Sequence, residues 1–452
     1  MVNAVAKYQK YTEYKDSGVE WLGKIPSHWD MWKLSHAYNE IGSGTTPSTS
    51  NEENFEGDIP WITTGELREN VILDTKKKVS KKTIDQFPTL KKYPVGSVAI
   101  AMYGATIGRL GIFGIEATTN QACCVMTTSN VLNNKYLFYW LQAFKNEIIQ
   151  LSSGGGQPNI NQEKVASLKV SAPLIDDQIK IANFLDNETA KIDSLIEKQQ
   201  KLIELLKEKR QAVISHAVTK GLNPDVPMKD SGVEWLGEVP EHWTVSKLKY
   251  FVNVVDCKHI TAEFFDEGIP LASIGEVKGW KVNLSKAKLT NEKYYFELIE
   301  GNRKPQVGDI IYTRNATVGE AALVHEELPR FALGQDVCLI HIVQKLYPEF
   351  LLHFLKSEII KIQLNSAMVG STFKRINVDD IRNYLVVIPP FDEQKEILKS
   401  LEINTKQYDS LISSAEKQIN LMKERRTALI SSAVTGKIDV RNWKNPQQDL
   451  AV

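Results

Sequence analysis

The chain has few cysteines, no excess of charge of either sign and no long apolar run. Its 4 cysteines in 452 residues show no C-x-x-C spacing and no neighbouring histidine cluster, so the sequence predicts no zinc site. Cys124 and Cys338 lie inside apolar runs, which predicts buried strand thiols in a reducing cytoplasm. No stretch approaches the roughly 18 apolar residues of a membrane span, and the first residues lack the apolar segment of a secretory signal. We therefore expect a cytoplasmic protein with no membrane contact.

The charges balance, with 55 basic and 55 acidic residues. A protein that binds nucleic acid on its own usually carries a basic excess. The balance argues against tight DNA binding by the isolated chain. Any basic surface must be local or be completed by a partner.

The known catalytic motifs are also missing. The sequence has no G-x-x-x-x-G-K-(S/T), no G-x-G-x-x-G, no H-E-x-x-H and no Asn/Asp-Pro-Pro-aromatic segment. The glycines at 154–156 have no strand before them and no helix after them, so we interpret them as a loop. The sequence predicts no catalytic or metal site in this chain.

What the chain does contain is a long repeat. Residues 16–34 (DSGVEWLGKIPSHWDMWKL) and 230–248 (DSGVEWLGEVPEHWTVSKL) are identical at 13 of 19 positions. Solenoid repeats recur every 20–50 residues or so, and the spacing of these two segments, from residue 16 to residue 230, is far longer. It indicates two whole domains, each followed by a helix.

Each repeat has the same series of short apolar runs bounded by Gly and Pro, which predicts strands. Matching pairs are 59–67 with 269–277, 95–113 with 307–324, and 120–128 with 333–342. Aromatic helical patterns follow at 135–149 and 347–362, then a polar loop at 152–161 and at 369–377. Each unit is predicted to be a strand-rich α+β domain.

Two heptad-patterned segments close the repeats. In the first, one seam position includes Leu185 and Ile192, and the other includes Leu195 and Leu202, with Ile196 and Ile203 widening the apolar stripe. This pattern is typical of a coiled coil. A zipper between two chains is one interpretation. We favour an antiparallel pair within the chain, because the second domain must leave the far end of the first helix and the second helix can then return.

The predicted fold is therefore α+β, with two repeated domains joined by two long antiparallel coiled-coil helices and related by a pseudo-twofold axis. The predicted boundaries are an N-terminal arm at 1–14, a first domain at 15–175, a first helix at 176–220, a second domain at 221–391, a second helix at 392–437 and a C-terminal tail at 438–452.

The whole chain, about residues 12–440, resembles the specificity subunit of type I restriction–modification enzymes. The residues that carry the resemblance are the two Asp-Ser-Gly-Val-Glu-Trp-Leu-Gly segments, PLIDDQIKIANFLD (173–186), PFDEQKEILKSL (390–401) and the K-E-(K/R)-R-x-A-(V/L)-I-S helix ends. The resemblance implies that each domain is a target-recognition domain for one half of a split DNA sequence. It implies that the helices fix the spacing of the half-sites and bind two methyltransferase subunits.

The resemblance further implies double-stranded DNA and motor–nuclease subunits as partners in the full complex. The complex would be an adenine methyltransferase and endonuclease. S-adenosylmethionine, ATP and Mg²⁺ would be bound by those partners, with no cofactor on this chain.

Candidate DNA contacts follow from residue type, because Arg suits guanine, Asn and Gln suit adenine, and Lys meets phosphate. In the first domain they are Thr63, Thr64, Lys76, Lys78, Tyr103, Arg109, Gln157 and Asn159. In the second domain they are Ser273, Lys278, Tyr312, Arg314, Asn315, Lys374 and Arg375. The lysine run at 76–82 reads equally well as a solvated face.

Two alternatives stay open at this point. One is an adaptor that uses the coiled coil to present two protein-binding domains without DNA specificity. The other is a repressor that binds DNA without partners, which the charge balance disfavours.

Overall fold

Two units divide the chain, and each takes residues from both long helices. The computed structural model describes residues 8–152, 159–368 and 375–444. The first unit comprises residues 1–199 and 417–452, and the second comprises residues 200–416. A globular domain therefore shares its unit with one segment of each helix.

The first unit is built on a five-stranded sheet in the order β4-β11-β8-β9-β6 and a three-stranded sheet in the order β10-β5-β7. Two strand pairs, β1-β2 and β12-β3, complete it. The strands are β1 (Tyr14–Asp16), β2 (Lys24–Pro26), β3 (Asp30–Lys33), β4 (Ile41–Ser43), β5 (Ile59–Ile62), β6 (Asn70–Ile72), β7 (Lys77–Val79), β8 (Val98–Ala101), β9 (Leu110–Phe113), β10 (Thr118–Thr119), β11 (Cys123–Met126) and β12 (Lys169–Ala172). The short helices are α1 (Leu34–Ala37), α2 (Lys81–Gln86), α3 (Asn134–Ala143), α4 (Lys145–Gln150) and α5 (Gln162–Ser167).

The second unit repeats this topology with a four-stranded sheet, β16-β22-β19-β20, and a three-stranded sheet, β18-β17-β21. Its two strand pairs are β13-β14 and β15-β23. The strands are β13 (Met228–Asp230), β14 (Glu238–Pro240), β15 (Thr244–Lys247), β16 (Val252–Asp256), β17 (Ile269–Ala272), β18 (Leu289–Thr290), β19 (Ile310–Thr313), β20 (Ala321–Leu323), β21 (Ala332–Leu333), β22 (Val337–Ile342) and β23 (Leu385–Ile388). The helices are α7 (Glu292–Leu298), α8 (Pro348–Leu355), α9 (Glu358–Ala367) and α10 (Val378–Arg382).

The registers of the two large sheets match. Cys124 on β11 lies opposite Ile100 on β8, and Cys338 on β22 lies opposite Tyr312 on β19. Both thiols are fully buried and free, and burial raises the pKa of Cys124 to about 12. The α+β class and the repeat are confirmed.

The long helices are α6 (Ile175–Lys220) and α11 (Phe391–Val434). A buried glutamine anchors the start of each one to its domain. Gln178 accepts from Asn133 N at 2.8 Å and donates to Pro173 O at 2.8 Å. Gln394 accepts from Tyr347 N at 2.9 Å and donates to Pro389 O at 3.1 Å. The Asp-Asp-Gln and Asp-Glu-Gln segments are thus the joints between domain and helix.

The two helices pair antiparallel within each unit. In the first unit, Asp193 bonds Arg426 at 2.9 Å and Gln199 bonds Gln418 at 2.9 Å. In the second, Arg210 bonds Asp409 at 2.9 Å. The residue numbers rise on one helix as they fall on the other, which confirms the antiparallel pair within one chain.

The predicted seam is wrong at two positions of α6. Leu195 and Leu202 are 52% and 43% exposed, whereas Ile203 is buried and Ile196 packs against the core. Thr189 is buried as well, so the seam steps four residues from Leu185 to Thr189, where the predicted heptads step three, to Glu188. A step of this kind is a stutter, and it carries the seam on to Ile196 and Ile203.

Within the described ranges, no helix combines the length and the apolar character that a membrane crossing requires.

Candidate nucleic-acid interface

A tight turn joins β8 to β9 and presents Tyr103 and Arg109 of the first unit. A short 3-10 helix, Gly104–Thr106, forms the middle of the turn. Gly104 and Gly108 have φ of 76° and 73°, a region that glycine adopts at low cost. A Cβ atom on Gly108 would lie 3.0 Å from Ile149 Cδ1. The glycines therefore fix the path of the turn, and the side chains of Tyr103 and Arg109 are left half-buried at its two ends.

The end of the predicted polar loop at 152–161 pairs with this turn. Tyr103 and Asn159 form an antiparallel backbone bridge, and Ile160 N donates to Met102 O at 2.8 Å. Asn159 is exposed. Gln157 lies outside the described residues. Two segments that are far apart in sequence thus place Tyr103 and Asn159 side by side.

A single carboxylate connects the segment after β5 with the lysine run. Glu66 accepts from the backbone N–H of Thr63 at 2.6 Å and from its hydroxyl at 3.0 Å. The other oxygen of Glu66 accepts from Lys76 N at 2.9 Å. The Lys76 side chain is exposed, whereas Lys78 is half-buried and 3.1 Å from Asp74. Thr64 is half-buried beside Thr63.

The second unit has equivalent hydrogen bonds and an equivalent backbone bridge, with different side chains. Ser273 N donates to Glu276 at 2.9 Å, as Thr63 does to Glu66. Asn315 and Arg375 form the backbone bridge that corresponds to Tyr103 and Asn159. Arg375 is exposed and Asn315 is half-buried.

Lys278 lies exposed at the end of the 3-10 helix Ile274–Val277. Lys374, the neighbour of Arg375 in the chain, lies outside the described residues.

Two predicted contacts of the second unit are inside the domain. Tyr312 is fully buried with its hydroxyl 3.1 Å from that of Tyr384, and burial raises its pKa. The Arg314 side chain is 5% exposed and forms an ion pair with Asp256. Both groups support the sheet beneath the turn, whereas the neighbouring Asn315 is on the surface side.

Two glutamines that the sequence analysis did not name also lie on these surfaces. Gln121 and Gln335 are exposed, and each lies two residues before the start of a buried strand, β11 or β22. The same residue type stands three positions before the matching Cys124 and Cys338, and this repetition is the signal that could have found them. Within the described residues, no group of three or more His, Cys, Asp or Glu side chains could hold a metal ion.

Comparison with known proteins agrees with this organisation. Residues 26–205 and 240–421 match the family of the type I restriction modification DNA specificity domain. The chain is 24% identical over 437 residues to the type I restriction enzyme MjaVIII specificity subunit of Methanocaldococcus jannaschii, covering 93% of this chain and 95% of that protein. It is 24% identical over 226 residues to the EcoKI specificity subunit of Escherichia coli K12, 47% of each chain.

Two solved structures share the fold. One, from work on complex assembly and conformational transition of a type I R-M system, has a TM-score of 0.71 at 14% identity over 92% of this chain and 99% of its own. The other, the HsdS subunit from Thermoanaerobacter tengcongensis, has a TM-score of 0.53 at 13% identity over 92% of this chain and 98% of its own. With two matched domains that together span most of its length, the chain belongs to the type I restriction–modification DNA specificity family.

Proposed function

We propose that this chain is the DNA-recognition subunit of a type I restriction–modification complex, in which each domain reads one half of a split target. One observation carries the proposal. The two domains have the same backbone bridge at equivalent positions. The bridged residues are Tyr103 and Asn159 in the first domain and Asn315 and Arg375 in the second. A shared frame with exchanged side chains is what two readers of different sequences require.

The exposed Asn159, Arg375 and Lys76 and the half-buried Asn315 have the chemistry of base and phosphate contacts. Arg375 suits the O6 and N7 atoms of guanine, and Asn159 and Asn315 suit adenine. Lys76 suits the phosphate backbone. Thr63, Thr64, Lys78 and Arg109 in the first domain and Ser273 and Lys278 in the second extend the two proposed surfaces. Gln157 and Lys374 lie outside the described residues and stay predicted contacts. We propose that Tyr312 and Arg314 act as positioning residues for Asn315.

The helix pair is proposed to fix the spacing of the two half-sites. The support is that α6 is continuous over 46 residues and α11 over 44, with neither interrupted where one unit gives way to the next. A continuous helix rises about 1.5 Å per residue and resists compression, so it is suited to hold a set distance.

The same helices are proposed to bind two methyltransferase subunits. Leucines at equivalent positions of α6 and α11 are exposed: Leu195 is 52% exposed and Leu411 54%, and Leu205 is 47% exposed and Leu421 62%. Repeated apolar side chains that are exposed to solvent favour the binding of a partner protein. Motor–nuclease subunits would join the assembly, and S-adenosylmethionine, ATP and Mg²⁺ would be bound by the partners. The complex would act on DNA in the cytoplasm.

Single-molecule methylation sequencing of the host genome tests the recognition role. The gene is compared intact, deleted, and with Asn315→Ala plus Arg375→Ala. We expect a split motif of fixed spacing that disappears on deletion and that the variant loses or relaxes in one half only. A methylation pattern identical in all three strains would overturn the proposal. A DNA footprint of the assembled complex separates it from the adaptor alternative, which predicts no protected sequence.

Co-purification of the methyltransferase tests the docking role. Leu195→Lys with Leu411→Lys should abolish the association, whereas Lys201→Ala, an exposed change on α6, should leave it intact. Equal recovery of the methyltransferase with both variants would contradict docking on this face.

A further inference from the structure

Each domain holds one exposed glutamine by a hydrogen bond to a threonine, with the glutamine as acceptor in the first unit and as donor in the second. In the first unit, the Thr46 hydroxyl donates to the side-chain carbonyl of Gln121. In the second, Gln335 Nε2 donates to Thr261 Oγ1 at 3.2 Å and lies 3.5 Å from Ile260 O. The threonines are on a separate loop that precedes β5 and β17. A long side chain on the surface is thus restrained by a second segment of the chain.

Both glutamines lie between the two groups of proposed base contacts. Asn120 N donates to Ile62 O at 3.0 Å, which places Gln121 beside the segment of Thr63. On its other side, Met102 N donates to Ala122 O at 2.8 Å, which places Gln121 beside the segment of Tyr103. Gln121 therefore connects the segment after β5 with the turn after β8.

The backbone of the second unit makes equivalent hydrogen bonds around Gln335. Gly334 N donates to Ala272 O at 2.8 Å, and Arg314 N donates to Asp336 O at 2.8 Å. Asp336 takes a φ of 68°, in the left-handed region that Asp and Asn adopt more readily than most other residues with a side chain, and it accepts from Asn315 Nδ2 at 3.1 Å. A cavity of about 490 Å³ opens beside Gln335, with Thr261 and Ser273 in its wall.

The residues around each glutamine differ between the domains, but the glutamine does not. Asn120 corresponds to Gly334, Ala122 to Asp336 and Tyr103 to Asn315. Residues that distinguish two half-sites must differ, and a residue that reads a feature common to both can stay the same. The restrained, exposed glutamine is in the second class.

We propose that Gln121 and Gln335 each read one adenine in the major groove of their own half-site, which means that both half-sites contain an adenine at the equivalent place. This inference rests on the proposed function and adds a specificity-determining pair to it. Thr46 and Thr261 are positioning residues that aim the amides.

The amide has the hydrogen-bonding capacity for this role. A glutamine amide offers two N–H donors and two acceptor lone pairs. One bond to threonine leaves a donor for adenine N7 and an acceptor for the adenine N6 amino group, the bidentate pattern that selects adenine. Losing such a pair costs roughly tenfold to a hundredfold in affinity.

Binding of modified duplexes by the assembled complex tests the proposal. Each adenine of the target is replaced in turn by 7-deazaadenine, which lacks the N7 acceptor. The intact complex should lose affinity at one adenine in each half-site. Gln335→Ala should abolish that sensitivity in the half-site of the second domain only, and Gln121→Ala in the other half-site only.

Control variants separate recognition from folding. Gln86→Ala and Gln344→Ala remove exposed glutamines elsewhere on the two units and should keep both sensitivities. Thr261→Val should weaken the sensitivity in the second half-site and Thr261→Ser should restore it, with melting temperatures unchanged.

The two proposals fail in different ways. A complex that binds its target no better than a duplex of scrambled sequence would overturn the proposed function. A complex that keeps its split target but is insensitive to 7-deazaadenine, or that stays sensitive in both half-sites in both glutamine variants, would overturn only this inference.

Discussion

Arg314 and Asp256 form an ion pair inside the second unit, between the residue that follows β19 and the last residue of β16. The matching positions in the first unit are Met102 and Ser43. Met102 accepts from Ile160 N as Arg314 does from Ile376 N, and Ser43 lies opposite Cys124 as Asp256 lies opposite Cys338. A charged pair has therefore replaced an uncharged one at the same place in the fold.

Arg314→Met should destabilise the full chain by about 2–3 kcal/mol, because it leaves the carboxylate of Asp256 in a partly buried position without its partner. The side chain of Asp256 is 31% exposed, which keeps the cost below that of a fully buried charge. Adding Asp256→Ser reproduces the pair of the first unit and should recover most of the loss. Urea denaturation of the single and double variants measures both effects, and strictly additive losses would contradict the coupling.

Truncating core leucines of the helix pair should cost far more than truncating exposed ones. Leu185 and Leu401 are fully buried, whereas Leu195 and Leu411 are 52% and 54% exposed. Leu→Ala at either buried position should lower the free energy of unfolding by about 2–5 kcal/mol. The same change at either exposed position should cost well under about 1 kcal/mol, since little apolar area returns to water. Similar losses within one helix would show that the seam lies elsewhere.

Acid should weaken the second unit through His353. This side chain packs against the Trp280 ring at 4.5 Å between centroids, and burial lowers its pKa to about 4, helped by the charges of Arg210 and Lys356. The unfolded chain binds a proton below about pH 6.5 and the folded chain does not, so stability falls between about pH 6.5 and 4.

The loss attributable to this group is about 3 kcal/mol over that range. Unfolding free energies of the intact protein and of His353→Gln at pH 7 and pH 4.5 check it. The variant should lose less stability than the parent on acidification, and parallel curves would exclude His353 as the cause.

Lys76 should contribute one phosphate contact to DNA binding by the complex. Lys76→Gln should reduce the slope of log affinity against log salt by about 0.9, the value for one released counterion. Lys201, which pairs with Glu204 on α6 at 3.0 Å, provides the matched control. A slope unchanged by Lys76→Gln would assign the lysine run to a solvated face.

The repeat, the strand-rich domains and the long helices could be predicted because their signals are local. The burial of particular side chains could not be predicted from the sequence. Both faces of β19 are covered, with Ile310 and Tyr312 in one core cluster and Ile311 in another. A strand without an exposed face shows no alternation, so nothing in the sequence shows that Tyr312 points inward while Asn315, just beyond the strand, reaches the surface. The apolar stripe of α6 was predicted with both Leu195 and Ile196 in it, but the sequence could not show which of the two faces the core, because both are equally apolar.

Chain order and structural order differ in this molecule. The second unit is one uninterrupted stretch, 200–416, but the first unit also needs residues from beyond 416. Tyr136 donates to Val434 O at 3.1 Å, and Asp439 N donates to Gln9 O at 2.7 Å. During synthesis the second unit can close before the first is complete, although its residues leave the ribosome later. A premature stop codon after residue 416 would therefore remove part of the first unit and destabilise the domain that was translated first.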